Sequence, residues 1–208
     1  MATLLHISSS PRGTESESLA LGEVFVETYA DAHPGAAIEH WDLWDGSLPE
    51  FGPDATHAKM AVFGGVPFDD AQVAAWRRVE AAAERFRAAD SYLFTVPMWN
   101  HGVPYILKQF IDVVSQPGLL FSFDPQHGYT GLLRGKKAAV IYTSGVYGPD
   151  RGPGFGVDFQ MPYFDDWLRW AGVTDIESIY YRPNLAVADP EPGRWAAQNR
   201  AREVAKTF

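Results

Sequence analysis

Three short segments concentrate the residues whose types could do chemistry. The first, Ser8-Ser-Ser-Pro-Arg-Gly-Thr-Glu-Ser-Glu-Ser18, is rich in hydroxyls and opens onto a helix-period stretch. The first N–H groups of a helix have no internal partner, and its dipole favours negative charge, so a phosphate fits there. Ser10, Ser16 and Ser18 can add hydroxyl donors, and Arg12 a counter-charge. The same serines would also serve as plain helix caps. The second segment is Pro97-Met-Trp-Asn-His-Gly-Val-Pro104. Asn100 carries both a donor and an acceptor, and beside Met98, Trp99 and His101 it suits the edge of a flat heteroaromatic ring. An ordinary strand-to-helix loop with Trp99 packed inward satisfies the same residues. The third, Thr143-Ser-Gly-Val-Tyr-Gly148, places Gly145 among Ser144, Val146 and Tyr147. Glycine lets a backbone approach a ligand closely, though it also makes simple turns.

Other chemistries lack a motif. There is no GxxxxGK[ST] phosphate loop, no HExxH and no GxSxG. Gly152, Gly154 and Gly156 fall as G-x-G-x-G, short of a dinucleotide fingerprint and not directly after a strand. The six histidines show no metal-ligand spacing, so no metal site is expected. With no cysteine in the chain, disulfides, thiol catalysis and thiolate ligands are excluded, and a reducing compartment is the expectation.

The elements that must position these segments alternate between strand-length apolar runs and helix-period stretches, the pattern of a parallel sheet covered on both faces. Strands are expected at Thr3–Ser8, Ala37–Leu43, Ser91–Val96, Lys137–Thr143 and Asp175–Tyr181. Alternation in the second suggests a sheet edge, and the apolar third a buried centre. Helices are expected from Ser16 to Ala32, Asp70 to Ala89, from near Pro104, Pro162 to Ala171 and Arg194 to Phe208. Residues 44–69, with three prolines and four glycines, read as a loop-rich excursion, and Gly145–Gly156 as a loop. No composition break marks a second domain, so residues 1–208 are expected to form one doubly wound α/β domain of five parallel strands, ordered 2-1-3-4-5.

Charge narrows the class further. Seventeen Lys and Arg against 26 Asp and Glu give a net charge of −9, which disfavours nucleic acid or an anionic membrane as the main partner. The longest uncharged run, Ser91–Leu107, is broken by Pro97, Asn100 and Pro104, so no membrane-spanning helix is expected. The opening Met1-Ala-Thr-Leu-Leu-His lacks the basic and apolar regions of a signal peptide, so a cytoplasmic location is expected.

In a sheet ordered 2-1-3-4-5, strands one, three and four are neighbours, and ligands sit at their carboxyl ends around the switch point. All three segments fall at those ends. A phosphate at the first and an aromatic ring between the other two describe a mononucleotide with a large ring, and FMN meets that description.

These residues make the chain resemble the FMN-dependent NADH-azoreductases within the flavodoxin-like quinone reductases. The resemblance rests on Ser9-Ser-Pro-Arg with Ser16-Glu-Ser18, on Pro97–Pro104 with Leu107-Lys-Gln-Phe-Ile-Asp112, and on Phe121-Ser-Phe123 ahead of Gly131-Leu-Leu-Arg-Gly-Lys-Lys137. Thr143-Ser144 and Gly172-Val-Thr-Asp-Ile176 complete it. It implies a flavodoxin-like fold with one FMN per subunit, its phosphate held by Ser10 and the Ser16-Glu17-Ser18 turn. Met98, Trp99, Asn100 and His101 would flank the ring, with Ser144, Gly145, Val146 and Tyr147 on its other side. Glu17 stands where the family usually has Gln, Trp99 and His101 where Tyr and Phe are common, and Gly145 replaces a glycine pair.

The implied reaction is carried by the cofactor. NADH or NADPH gives hydride to flavin N5 and leaves, and a quinone, azo compound or similar planar acceptor then takes the electrons. No side chain is required as a catalytic acid or base. His101, an imidazole that can carry a proton on either ring nitrogen, is the one candidate donor, beside a simpler role as a rim contact. The resemblance also implies a homodimer whose aromatic residues cover the partner's flavin, with Phe121, Phe123, Tyr147, Phe155 and Phe159 as candidates. A flavodoxin-type electron carrier and a degenerate binding module that has lost FMN are the alternatives.

Overall fold

The computed structural model describes residues 2–208. Its central sheet holds five parallel strands in the order β2-β1-β3-β6-β7, formed by β1 (Thr3–Ser8), β2 (Ala37–Asp42), β3 (Ser91–Pro97), β6 (Lys137–Thr143) and β7 (Asp175–Tyr181). This is the expected 2-1-3-4-5 order, with a short antiparallel hairpin, β4 (Phe121–Asp124) and β5 (Gly128–Gly131), inserted before β6. β2 lies at the edge and β3 in the centre, as the alternating and continuous apolar patterns require. Among the described residues no helix is long and apolar enough to cross a membrane.

Successive strand side chains point to opposite faces, and each face is covered by helices. Leu5, Ile7, Phe94, Val140 and Tyr142 pack with α4 (Tyr105–Val114) and α5 (Met161–Ala171) through Phe110, Phe164 and Trp167. Leu4, Leu93, Ala139 and Ile141 face α1 (Glu17–Ala32) and α6 (Glu191–Thr207) through Leu21, Phe25, Ala201 and Val204. α3 (Asp70–Ala88) completes the first layer with Ala83 and Phe86. It begins at a capping box in which Asp69 accepts the Gln72 N–H at 2.9 Å and Gln72 accepts the Asp69 N–H at 3.2 Å.

Two expectations need correction, and one small element was not expected. Residues 44–69 are not all loop, for α2 (Pro53–Gly64) lies among them and packs Ala55 and Ala58 on Trp76 and Val79 of α3. The residues that read as breakers are its ends: Pro53 sits in the first turn, where a missing N–H is harmless, and Gly65 closes the helix at φ 63°. The last helix likewise begins at Glu191 and carries Pro192 in its first turn, where Arg194 was the expected start. Finally, the β4–β5 hairpin, whose strands are four residues each, is too short to show a period.

β1 also buries a titratable group. His6 stacks on His40 at 4.8 Å, and its Nε2 lies 3.3 Å from Thr95 Oγ1. Burial first, and the neighbouring His40 second, push its pKa from the ordinary 6.5 down to about 3. Between those values the unfolded chain binds a proton that the folded chain refuses, so stability is lost as pH falls. Urea titrations at about pH 7 and about pH 4.5 are expected to differ by about 2.5 kcal/mol more in the native chain than in His6→Gln. An unchanged difference in the variant would show that His6 does not carry this acid sensitivity.

Candidate cofactor-binding site

β1, β3, β6 and β7 all end on the same side of the sheet, with Ser8 beside Thr95, and two residues further on Pro97 beside Thr143, itself beside Tyr181. The chain leaves β1 towards β2 on one side and returns to β3 on the other, which opens a crevice at the carboxyl edge. A cleft of about 570 Å³ lies there. Its volume falls within the roughly 300–1,000 Å³ usual for small-molecule sites.

One end of the cleft is the start of α1. Ser10 and Ser16 line it, both nearly fully buried, as do Arg12 and Glu17. Ser16 has extended backbone and caps the helix by accepting the Leu19 N–H at 3.4 Å. The N–H groups of Glu17 and Ser18, ahead of that bond, have no helical acceptor. Ser18 does not line the cleft; its buried hydroxyl sits 3.1 Å from Ser16 Oγ and supports it from behind. Ser9 faces inward, donating through Oγ to Thr95 O at 2.9 Å.

Glu17 pairs with Arg194 of α6, whose Nη2 lies 2.6 Å from Glu17 Oε1. That hydrogen bond is the main reason the Arg194 pKa lies above the ordinary arginine value.

The other end is built on the exit of β3, where Pro97, Met98, Trp99, Asn100 and His101 line the wall. Trp99 and Gly102 exchange both backbone hydrogen bonds at 2.9 Å, closing a two-residue turn. Asn100 and His101 occupy it at φ 47° and 72°, the left-handed pair of a type I′ turn. Asn and His are among the side chains that enter this region most often, each at a cost of about 1–3 kcal/mol that neighbouring contacts must overcome. Phe159 N–H donates to His101 O at 2.9 Å, and Val157 N–H to His101 Nδ1 at 3.2 Å. A backbone N–H can only donate, so Nδ1 is the acceptor and the neutral ring carries its proton on Nε2. Trp99 is steadied by Trp44 and Tyr105, with ring centroids at 6.0 and 6.2 Å. Trp44 Nε1 in turn donates to Ser9 O at 3.1 Å, tying the ring end of the cleft to the first loop.

The opposite wall is the exit of β6. Ser144, Gly145, Val146 and Tyr147 line it, and Ser144 Oγ accepts the Tyr147 N–H at 3.0 Å. A Cβ on Gly145 would meet Leu185 at 3.0 Å, so this wall lies flush against the loop after β7. Sequence reasoning missed Asn184 and Leu185 of that loop, and also the lining segment Pro153–Gly156. The spaced glycines 152, 154 and 156 were the signal for the latter; nothing local marked the former. Of the aromatic candidates for a shared surface, Phe123, Phe155 and Phe159 are exposed, and Tyr147 is half-buried. Phe121 is 4% exposed and belongs to the core, packed on Trp170 at 4.8 Å.

A family model described as flavodoxin-like fold matches residues 2–205. An FMN-dependent NADH:quinone oxidoreductase of Ruegeria pomeroyi is 44% identical over 193 residues, covering 93% of this chain and 95% of the relative. Another, from Nitratidesulfovibrio vulgaris, is 41% identical over 211 aligned positions and covers 100% of both chains. The crystal structure of an azoreductase from Bacillus anthracis matches with a TM-score of 0.91 at 26% identity, covering 100% of both chains. With the strand order, the cleft at its switch point and a family match along nearly its whole length, this chain belongs to the flavodoxin-like fold family.

Proposed function

We propose that residues 1–208 act as a single FMN-binding domain, an FMN-dependent NADH:quinone oxidoreductase that also reduces azo compounds. The observation that carries this reading is the convergence of four strand exits on one cleft, with hydroxyls and a helix N-terminus at one end and an aromatic, turn-built wall at the other. The names of the relatives point the same way. The donor set suits the group. Ser10, Ser16 and the free N–H groups of the first α1 turn offer only hydrogen-bond donors or rotatable hydroxyls to a phosphate, and Arg12 adds positive charge.

FMN, when bound, supplies hydride transfer from a nicotinamide to an acceptor, in a ping-pong sequence through flavin N5. The chain's part is to bind, orient and exclude water. Asn100 presents both hydrogen-bonding functions to a ring edge, while Gly145 leaves room for Leu185 to back the facing wall. His101 holds a proton on Nε2 at the rim, as a hydrogen-bond donor to a bound molecule. Exposed Phe123, Phe155 and Phe159, with Leu132 and Tyr163, are large apolar side chains open to contact with a second subunit. The exposed aromatics support a homodimer, the names of the relatives support planar aromatic acceptors, and the cysteine-free composition is in keeping with a cytoplasmic location.

Purified protein is expected to show the visible spectrum of oxidised flavin, to bleach on anaerobic addition of NADH, and to consume NADH steadily once a quinone is added with no protein partner. Bleaching without turnover would point to an electron carrier. Absence of a flavin spectrum after incubation with excess FMN would overturn the reading.

A further inference from the structure

Glu17 is the first residue of α1 and lines the anion end of the cleft. A carboxylate there takes up the favourable field of the helix N-terminus and repels a second anion. Its charge is met from the far end of the chain. Arg194 reaches across from α6, placing Nη2 2.6 Å from Glu17 Oε1, while its Nη1 lies 2.6 Å from Glu191 Oε1. The two charged side chains are 34% and 27% exposed, so water only partly screens the pair. α1 and α6 pack side by side through Leu21, Phe25, Ala201 and Val204, which fixes where each partner emerges. The guanidinium also lies 5.9 Å from the Tyr181 ring at the end of β7. One planar fork thus binds two carboxylates and rests near a ring, a task for which lysine is a poorer fit.

We propose that Arg194 is a positioning residue for the phosphate end of the cleft, holding and neutralising the Glu17 carboxylate so that a dianionic phosphomonoester can sit on the α1 N-terminus. This rests on the FMN reading and extends it to a residue that does not line the cleft. Removing the guanidinium leaves an unpaired carboxylate beside the phosphate, and the penalty falls on the phosphate alone. Removing both charges takes the repulsion away with its remedy.

The test is titration of the flavin-stripped full chain with FMN and, separately, with riboflavin, which has the same ring and no phosphate. Arg194→Met is expected to weaken FMN about tenfold or more while riboflavin affinity stays within about twofold. Glu17→Gln alone should bind FMN as tightly as the native chain or more so. The double variant should recover to within about threefold of native, and Arg194→Lys should fall between Met and native. Equal loss of FMN and riboflavin in Arg194→Met, or no recovery in the double variant, would overturn the proposal and make Arg194 a structural contact. Failure of the native chain to bind either flavin would instead sink the FMN reading itself.

Discussion

Arg182→Met is expected to destabilise the fold by about 4 kcal/mol, because it strands a buried carboxylate. The Arg182 and Asp158 side chains are 6% and 12% exposed, and Nη1 lies 2.7 Å from Oδ2. Asp158 is not free to turn to water. Its Oδ1 accepts the N–H groups of Gln160 at 2.9 Å and Met161 at 3.0 Å, which ties it to the start of α5. The guanidinium also lies over Tyr180 at 4.6 Å and over Tyr142 and Tyr147 at 5.5 Å, adding cation–π contacts. Tyr147 lines the cleft, and Val157 and Phe159, on either side of Asp158, hold His101. The same substitution is therefore expected to loosen the ring end of the site and weaken flavin binding as well as lower the urea midpoint. Asp158→Asn combined with Arg182→Met should regain part of the loss, since no buried charge is then unpaired. A loss below about 1 kcal/mol in the single variant would mean the pair behaves as a surface contact.

The second large effect is expected at Gly131, the last residue of β5. A Cβ there would sit 2.4 Å from the backbone of Ala171 and Gly172 and 2.5 Å from Trp170 O. None of these atoms belongs to a side chain that could rotate away. Gly131→Ala must therefore move the hairpin off the end of α5, at about 3 kcal/mol or more. Along with that contact it strains the Leu133 N–H to Ala171 O bond of 2.9 Å and the packing of Phe121 and Tyr129 on Trp170, at 4.8 and 5.6 Å. Raised hydrogen exchange at Leu132 and Leu133, with altered Trp170 fluorescence, would mark detachment. A variant with native exchange and native denaturation would show that the backbone accommodates the methyl group. Because Phe123 and Tyr129 of the same hairpin are exposed, detachment is also expected to disturb the proposed subunit contact.

Much of the fold was legible because its signals are local. Thr3–Ser8 and Lys137–Thr143 have the expected bounds, since a buried parallel strand is an apolar run between turn residues whatever lies beside it, and the edge strand Asp175–Tyr181 has them too. The strand order is that of the flavodoxin-like doubly wound pattern, which the alternation of strands and helices and the resemblance together led one to expect. α2 was hidden because Pro53 and Gly65 look alike as loop punctuation and as helix ends; Ala55 and Ala58 against α3 decided the matter. The hairpin was hidden because four residues per strand carry no period, and its pairing depends on Phe121 finding Trp170.

The site divides along the same line. Amino-acid order alone determined the three strand exits and their residue types, because caps, turns and glycines act on their own few neighbours. It therefore named Ser10, Ser16, Met98, Trp99, Asn100, His101 and Ser144 as residues of one edge, and the cleft gathers them. Only the tertiary structure decided what those residues face. It spent the Ser9 hydroxyl on Thr95 O, set Ser18 behind Ser16, and brought Asn184, Leu185 and Pro153–Gly156 to the rim. It also turned Glu17 from an isolated charge into half of an ion pair with a residue 177 positions away. Electrostatic energy depends on distance through space, and that distance is set by which helices share a sheet face.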